Sequence, residues 1–64
     1  MRHWLVTAIH FNETHHQFKV KAETTREADS IVSNGLGDEY VDYINEPVNE
    51  DLFNELDVPE IIPD

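Results

Sequence analysis

The residues of this chain with the clearest capacity for chemistry are carboxylates at short, regular intervals. They recur at every fourth position from residue 38 to residue 50 and continue to residue 64: Asp38, Asp42, Glu46, Glu50, Asp51, Glu55, Asp57, Glu60 and Asp64. Neighbours on one face of a strand lie ~6–7 Å apart, and helix neighbours four positions apart lie ~6 Å apart. A row of that kind could imitate nucleic-acid phosphates and occupy the basic groove of a nucleic-acid-binding protein. The alternative is a solvated acidic face or a disordered acidic tail.

Enzymatic and metal chemistry have little support. The chain has no Cys and no Gly-rich phosphate loop, and its two serines, Ser30 and Ser33, lie within a helical pattern. We therefore predict no enzyme and no cofactor. Four histidines fall within the first 16 residues: His3, His10, His15 and His16. Because His15 and His16 are adjacent, they would point to opposite faces of a strand, and we interpret the histidines as turn and surface residues rather than metal ligands.

The charge is divided unevenly along the 64 residues. All four Lys and Arg lie in residues 1–37, whereas ten of the 14 Asp and Glu lie in residues 38–64, and the formal net charge is −10. This division predicts a charged interaction surface and argues against direct binding of nucleic acid, whose phosphates would be repelled. No apolar run approaches the ~18 residues of a membrane span, and no signal cleavage site follows the first residues. The expected location is the cytoplasm, the host cytoplasm if the protein is viral.

Two strands and a helix can be predicted from residues 3–34. Residues 3–11 are rich in β-branched and aromatic types, with Trp4, Val6 and Ala8 on one face. Residues 17–23 alternate between apolar and polar types, so the two segments predict an antiparallel hairpin about a polar turn at residues 12–15. Thr24 and Glu27 form a capping-box pattern, which predicts a helix of about ten residues that Gly35 ends.

The remaining elements are shorter. Residues 40–44 predict a third strand, which Pro47 ends or keeps at a sheet edge. Asn49 is placed to cap a brief helix over residues 51–56, and residues 57–64 should be extended or disordered. The fold class is therefore α+β, a small antiparallel sheet of β-β-α-β order with one helix packed on a face. Residues 1–46 should form this core, and residues 47–64 an acidic tail with a short helical turn that is either part of the same single domain or partly disordered.

The partner-binding residues should come from the acidic half, where apolar side chains are interleaved with the acids. Fast, salt-sensitive attraction by carboxylates would be followed by anchoring through Phe53, Leu56 or Tyr43. Alternatively, the short helix carrying Phe53 covers the second apolar face of the first strand. The predicted partner-binding set is Asp38, Glu39, Asp42, Tyr43, Glu46, Glu50, Asp51, Phe53, Glu55, Leu56 and Asp57.

Residues 3–44 resemble a family of small podovirus proteins that inhibit bacterial RNA polymerase. The resemblance rests on the strands, the helix start and the overall length, with these matching positions: Trp4, Phe18, Val20, Ala22, Glu23, Thr24, Glu27 and Ala28. It implies the β-β-α-β scaffold and inhibition of a host protein. That family uses basic residues on its third strand, whereas this chain has Asp42 there and no base after Arg26. No functional residue is therefore transferred.

Together, these observations predict a small acidic phage-type inhibitor that occludes the basic groove of a host nucleic-acid-binding protein by DNA mimicry. The expected partner has a basic surface, as RNA polymerase, a nuclease or a nucleoid protein has. One alternative is inhibition of RNA polymerase through a non-mimetic surface that includes Lys19, Lys21 and Arg26. The other is a structural or assembly protein that forms a homodimer through the spare apolar face of the first strand.

Overall fold

A three-stranded antiparallel sheet with two helices forms the protein. The computed structural model describes residues 2–37 and 39–63. Strands β1 (Arg2–His10), β2 (His15–Ala22) and β3 (Tyr40–Val48) are ordered β2-β1-β3 across the sheet, with helix α1 (Thr25–Leu36) before β3 and helix α2 (Glu50–Glu55) after it. The α+β class and the β-β-α-β order are confirmed.

The core lies on one face of the sheet, beneath α1. Period-two alternation places Trp4, Val6 and Ala8 on that face of β1, and all three side chains are buried. The core cluster joins Trp4 and Val6 with Ala28 and Val32 of α1. The indole Nε1 of Trp4 donates a hydrogen bond of 2.9 Å to the carbonyl of Ala22, so the one polar atom of this buried ring is satisfied. The predicted grouping of these three residues on one face of β1 is correct, and that face is the buried one.

The start of α1 follows the prediction, whereas its end does not. The Thr24 hydroxyl accepts a hydrogen bond from the Glu27 amide, as an N-cap should. The helix continues through Gly35 to Leu36, and Gly37 is its C-cap with φ 81°. The prediction that Gly35 ends the helix was wrong because Gly35 serves packing instead. A Cβ there would lie 3.0 Å from Cγ2 of Ile61.

The third strand is longer than the sequence predicted. It continues past residue 44 to Val48, and Pro47 lies within it opposite Trp4. Pro47 is tolerated because β3 is an edge strand, where an N–H directed away from the sheet has no ladder partner to lose. The second strand likewise begins at His15, within the predicted turn, so Ile9 pairs with His15 at the closed end of the hairpin.

The segment after α2 is extended and closes the other edge of the sheet. The Lys19 amide donates to the Pro59 carbonyl, and the Ile61 amide donates to the Lys19 carbonyl, each at 2.9 Å. These bonds form a parallel bridge between Lys19 and Glu60. Ile61 then packs against the core beside α1. Residues 59–61 therefore cover the outer edge of β2 at Lys19, whereas no described segment pairs with the outer edge of β3.

Candidate partner-binding surface

Helix α2 packs on the face of the sheet opposite α1. The Asn49 side chain caps it by accepting a hydrogen bond from the Leu52 amide. Phe53, in the middle of α2, is only 1% exposed, and its ring centroid lies 4.8 Å from that of His3 on β1. The helix therefore covers part of the second face of β1, as the alternative prediction held. The prediction that Phe53 anchors a partner was wrong, because its buried side chain could reach a partner only if α2 left the sheet.

Lys19 holds the end of α2 in place. Its ammonium Nζ donates to the main-chain carbonyls of Phe53, at 3.0 Å, and Leu56, at 3.2 Å. The last carbonyls of a helix lack partners within the helix and carry partial negative charge, so an ammonium group is well suited to them. The same Nζ lies 4.9 Å from the Phe53 ring centroid, and that of Lys21 lies 5.6 Å away. Two of the four bases therefore serve the internal packing of the protein.

Carboxylates occupy the exterior of β3 and α2. We name the exposed carboxylates of these two elements the acidic surface: Asp42, Glu46, Glu50, Asp51 and Glu55. Val48 of β3 pairs with His3, which contacts Phe53, so Asp42 and Glu46, at even intervals from Val48, lie on the face of the sheet that α2 covers. The acids of β3 and α2 are thus on one side of the molecule.

The other predicted binding residues are distributed as follows. Glu39 is exposed at the start of β3, Asp57 is exposed after α2, and Asp38 lies outside the described residues. Leu56 is half-buried at the end of α2. Tyr43 is half-buried on the opposite side, against the core cluster beside α1, so it does not lie with the acidic surface.

The carboxylates on β3 are sparser than an uninterrupted row. Asp42 and Glu46 are about 13 Å apart along the strand, because the chain rises ~3.3 Å at each of the four steps from one to the other. The position between them on the same face is taken by Ile44, whose side chain is 55% exposed. The strand therefore displays two carboxylates with an apolar side chain between them.

The carboxylates in the acidic half of the protein are not neutralised by Lys or Arg side chains among the described residues. Within residues 2–37 and 39–63, no Lys or Arg lies within salt-bridge distance of a carboxylate between Glu39 and Glu60. The ion pair found in this part joins His10 Nε2 to Glu39 Oε2 at 3.5 Å, and it requires a protonated imidazole. The negative potential of the acidic surface is therefore directed at solvent and at any partner.

Exposed apolar side chains accompany these acids, and sequence analysis did not include them in the site. Val41 is 69% exposed, Ile44 is 55% exposed, and Leu52 on α2 is 43% exposed. The sequence carried no signal for Ile44, because its face depends on how β3 pairs with β1. Asn45 bonds to Asp29 of α1 at 2.6 Å and so lies on the α1 face, and alternation then places Ile44 on the other face. These side chains can supply the apolar contact that Phe53 cannot.

The histidines are not all surface residues. His15 and His16 are exposed, as predicted, but His3 and His10 are half-buried. The His10 ring is tilted against that of Phe11, with centroids 4.3 Å apart, and meets that of Tyr40 edge to face, with centroids 5.3 Å apart. In the part of the chain that the structure describes, no three His, Asp or Glu are grouped so as to hold a metal ion.

None of the described helices is long and apolar enough to span a membrane. No protein-family model, no curated protein and no solved structure matches this chain.

Proposed function

We propose that the protein is an inhibitor that binds a basic, nucleic-acid-binding protein of a host cell and occupies the groove that otherwise holds nucleic acid. The observation that carries this proposal is the acidic surface, whose five carboxylates are exposed and lack Lys or Arg partners among the described residues. Mutual repulsion of these charges destabilises the free protein, and a cationic partner relieves it. Binding therefore offsets an unfavourable energy already present in the fold.

The proposed mechanism is competitive occlusion. The negative potential speeds diffusional encounter with a basic groove, as complementary charge does at protein interfaces generally. Ile44 and Leu52, which are exposed beside the acids, then make the apolar contact that retains the complex. This replaces the anchoring first assigned to Phe53, which is buried. Because Ile44 lies between the two carboxylates of β3, the proposed mimicry depends on the density of exposed negative charge and not on a continuous row of carboxylates spaced like phosphates.

Capture from a nuclease-treated bacterial lysate, followed by competition, tests the proposal. Tagged protein should retain a nucleic-acid-binding protein at low salt and release it at high salt, because exposed charges are screened within ~10 Å at 0.1 M. The captured protein is then purified, and double-stranded DNA should compete with the inhibitor for it. Retention that is insensitive to both salt and DNA would refute occlusion.

Matched variants separate the acidic surface from net charge. The pair Glu46→Gln and Asp51→Asn removes two charges from the acidic surface. The pair Glu13→Gln and Glu27→Gln removes two exposed charges from the turn and from α1. The first pair should weaken binding to the captured protein by about tenfold, if each exposed charge contributes up to ~1 kcal/mol, and the second pair by much less. Equal losses would mean that only the total charge matters.

The two alternative functions remain predictions. The self-association alternative uses the second face of β1, which α2 covers in part through Phe53 and His3. The polymerase alternative predicts that charge reversal at Lys19, Lys21 and Arg26 abolishes binding. Lys19 is unsuitable for that test because it holds α2, and Lys21 contacts the Phe53 ring, so reversal at the exposed Arg26 is the informative experiment.

A further inference from the structure

The outer edge of β3 is the open edge of the sheet. The corresponding edge of β2 is closed by residues 59–61 through the two backbone hydrogen bonds of Lys19. An open edge normally presents alternating N–H and C=O groups and invites another strand to pair with it. In an antiparallel sheet, successive residues of a strand direct their backbone groups alternately toward one neighbour and the other. This alternation, the hydrogen-bond phase of the sheet, determines which groups the β3 edge presents.

The bonds of Lys19 fix that phase. Because Lys19 directs its N–H and C=O away from β1, its neighbour Val20 exchanges hydrogen bonds with Trp4. Leu5, the next residue of β1, then directs its groups toward β3 and pairs with Glu46. The backbone groups of Tyr43, Asn45 and Pro47 consequently point outward from the sheet.

Two independent features agree with this phase. Pro47 has no N–H to give to Trp4, as expected of a position outside the ladder. The Tyr43 amide donates to Oδ1 of Asp42 at 2.9 Å, which an amide engaged with β1 could not do. Between Tyr43 and Pro47 the outward edge thus presents three carbonyls, whereas Asn45 supplies the only backbone donor that is free among the described residues.

This edge is poorly suited to strand pairing. An incoming strand would find no donor at Pro47 and would have to displace Asp42 from the Tyr43 amide. A buried backbone group left without a partner loses the hydrogen bond that it made to water, which disfavours strand pairing at this edge. Arginine and lysine side chains have only donors, five on each guanidinium and three on each ammonium, so they match an edge of acceptors.

We infer that the outer edge of β3 binds guanidinium and ammonium side chains of a basic partner, with the outward carbonyls and the carboxylates of Asp42 and Glu46 as acceptors. A second copy of this chain is a poor occupant, since it has the same donor deficit and a net charge of −10. Ile44, which is exposed between Asp42 and Glu46 on the same face, gives the alkyl stems of such side chains an apolar surface. This inference rests on the proposed function and names the partner chemistry at that surface.

Nuclear magnetic resonance titration of the ¹⁵N-labelled protein tests the inference, with octaarginine as the probe and octacitrulline as its neutral counterpart. Octaarginine should shift the amide resonances of Tyr43, Ile44 and Asn45 most, and octacitrulline should leave them almost unchanged. Asp42→Asn should weaken octaarginine binding about threefold, and the matched Glu27→Gln on α1 much less, since one exposed charge contributes ~0.2–1 kcal/mol.

Three results would overturn the inference. They are shifts confined to α2, equal weakening by Asp42→Asn and Glu27→Gln, and cross-strand contacts showing that the peptide pairs with β3 as a strand. The result is distinguishable from failure of the proposed function, which the DNA competition measures separately. Octaarginine bound at β3 with no competition by DNA would sustain the edge chemistry and reject occlusion.

Discussion

Lys19 and Lys21 offer a matched test of what holds α2 on the sheet. Both ammonium groups lie over the Phe53 ring, at 4.9 and 5.6 Å, but only Lys19 donates to the helix-end carbonyls. Lys19→Met and Lys21→Met each remove one positive charge and keep an unbranched side chain of similar size. The difference between them therefore isolates the two hydrogen bonds of Lys19.

The expected magnitudes follow from the contacts. Hydrogen bonds to charged groups contribute about 1.5–3 kcal/mol each, and we reduce this because Lys19 is half-buried and water can reach the freed carbonyls. Lys19→Met should lower the free energy of unfolding by about 2 kcal/mol. Lys21→Met loses only an exposed cation–π contact of about 0.5 kcal/mol. With a slope of ~1 kcal/mol/M for a small protein, the urea midpoints should differ by about 1.5 M.

Urea unfolding followed by tryptophan fluorescence measures both midpoints. Trp4 is the only tryptophan and is 5% exposed, so its emission reports on the core directly. Hydrogen exchange at the Leu56 amide, which donates to the Leu52 carbonyl, reports separately on the end of α2. Midpoints that agree within about 0.3 M would refute the reasoning, since net charge would then account for both variants.

Other expectations concern the core, the helix ends and the net charge. Phe53→Ala should lower the free energy of unfolding by about 3–5 kcal/mol, and a loss below 1 kcal/mol in urea unfolding would mean that α2 contributes little. Gly37→Ala should cost about 1–3 kcal/mol because φ is 81° and ψ is −160°, although no atom crowds the Cβ; an unchanged thermal midpoint would contradict this. Thr24→Ala should cost about 1 kcal/mol in the same assay, and no loss would argue against the cap. Raising NaCl from 10 to 500 mM should raise the urea midpoint by screening repulsion, and a fall would indicate attractive charge pairs.

Local signals allowed much of the fold to be predicted. The N-caps Thr24 and Asn49 act within three residues, and the alternation around Trp4 and Val20 depends only on the strand itself. Contacts distant in sequence account for the errors. Gly35 lies within α1 against Ile61, 26 positions later, and Phe53 is buried against His3 of β1, 50 positions earlier.

The candidate site was predicted in charge but not in geometry. The acids of the acidic surface are exposed as expected, since no base follows Arg26 to pair with them. Composition could not indicate that Ile44 interrupts the carboxylates of β3 or that Tyr43 faces α1. Both depend on the pairing of β3 with β1, which sets the face of each residue and extends through Pro47.

The contacts of Lys19 have a consequence for the speed of folding. Its ammonium bonds to Leu56 across 37 positions, and its backbone bridges to Glu60. The chain entropy of closing such long loops must be lost before these contacts return any energy, and domains rich in such pairings fold in milliseconds to seconds. The hairpin of β1 and β2 can form early, but β2 keeps an open edge until the last segment docks. Until that segment docks, the β2 edge lacks the cover that residues 59–61 give it, and the net charge of −10 opposes association between copies of the chain.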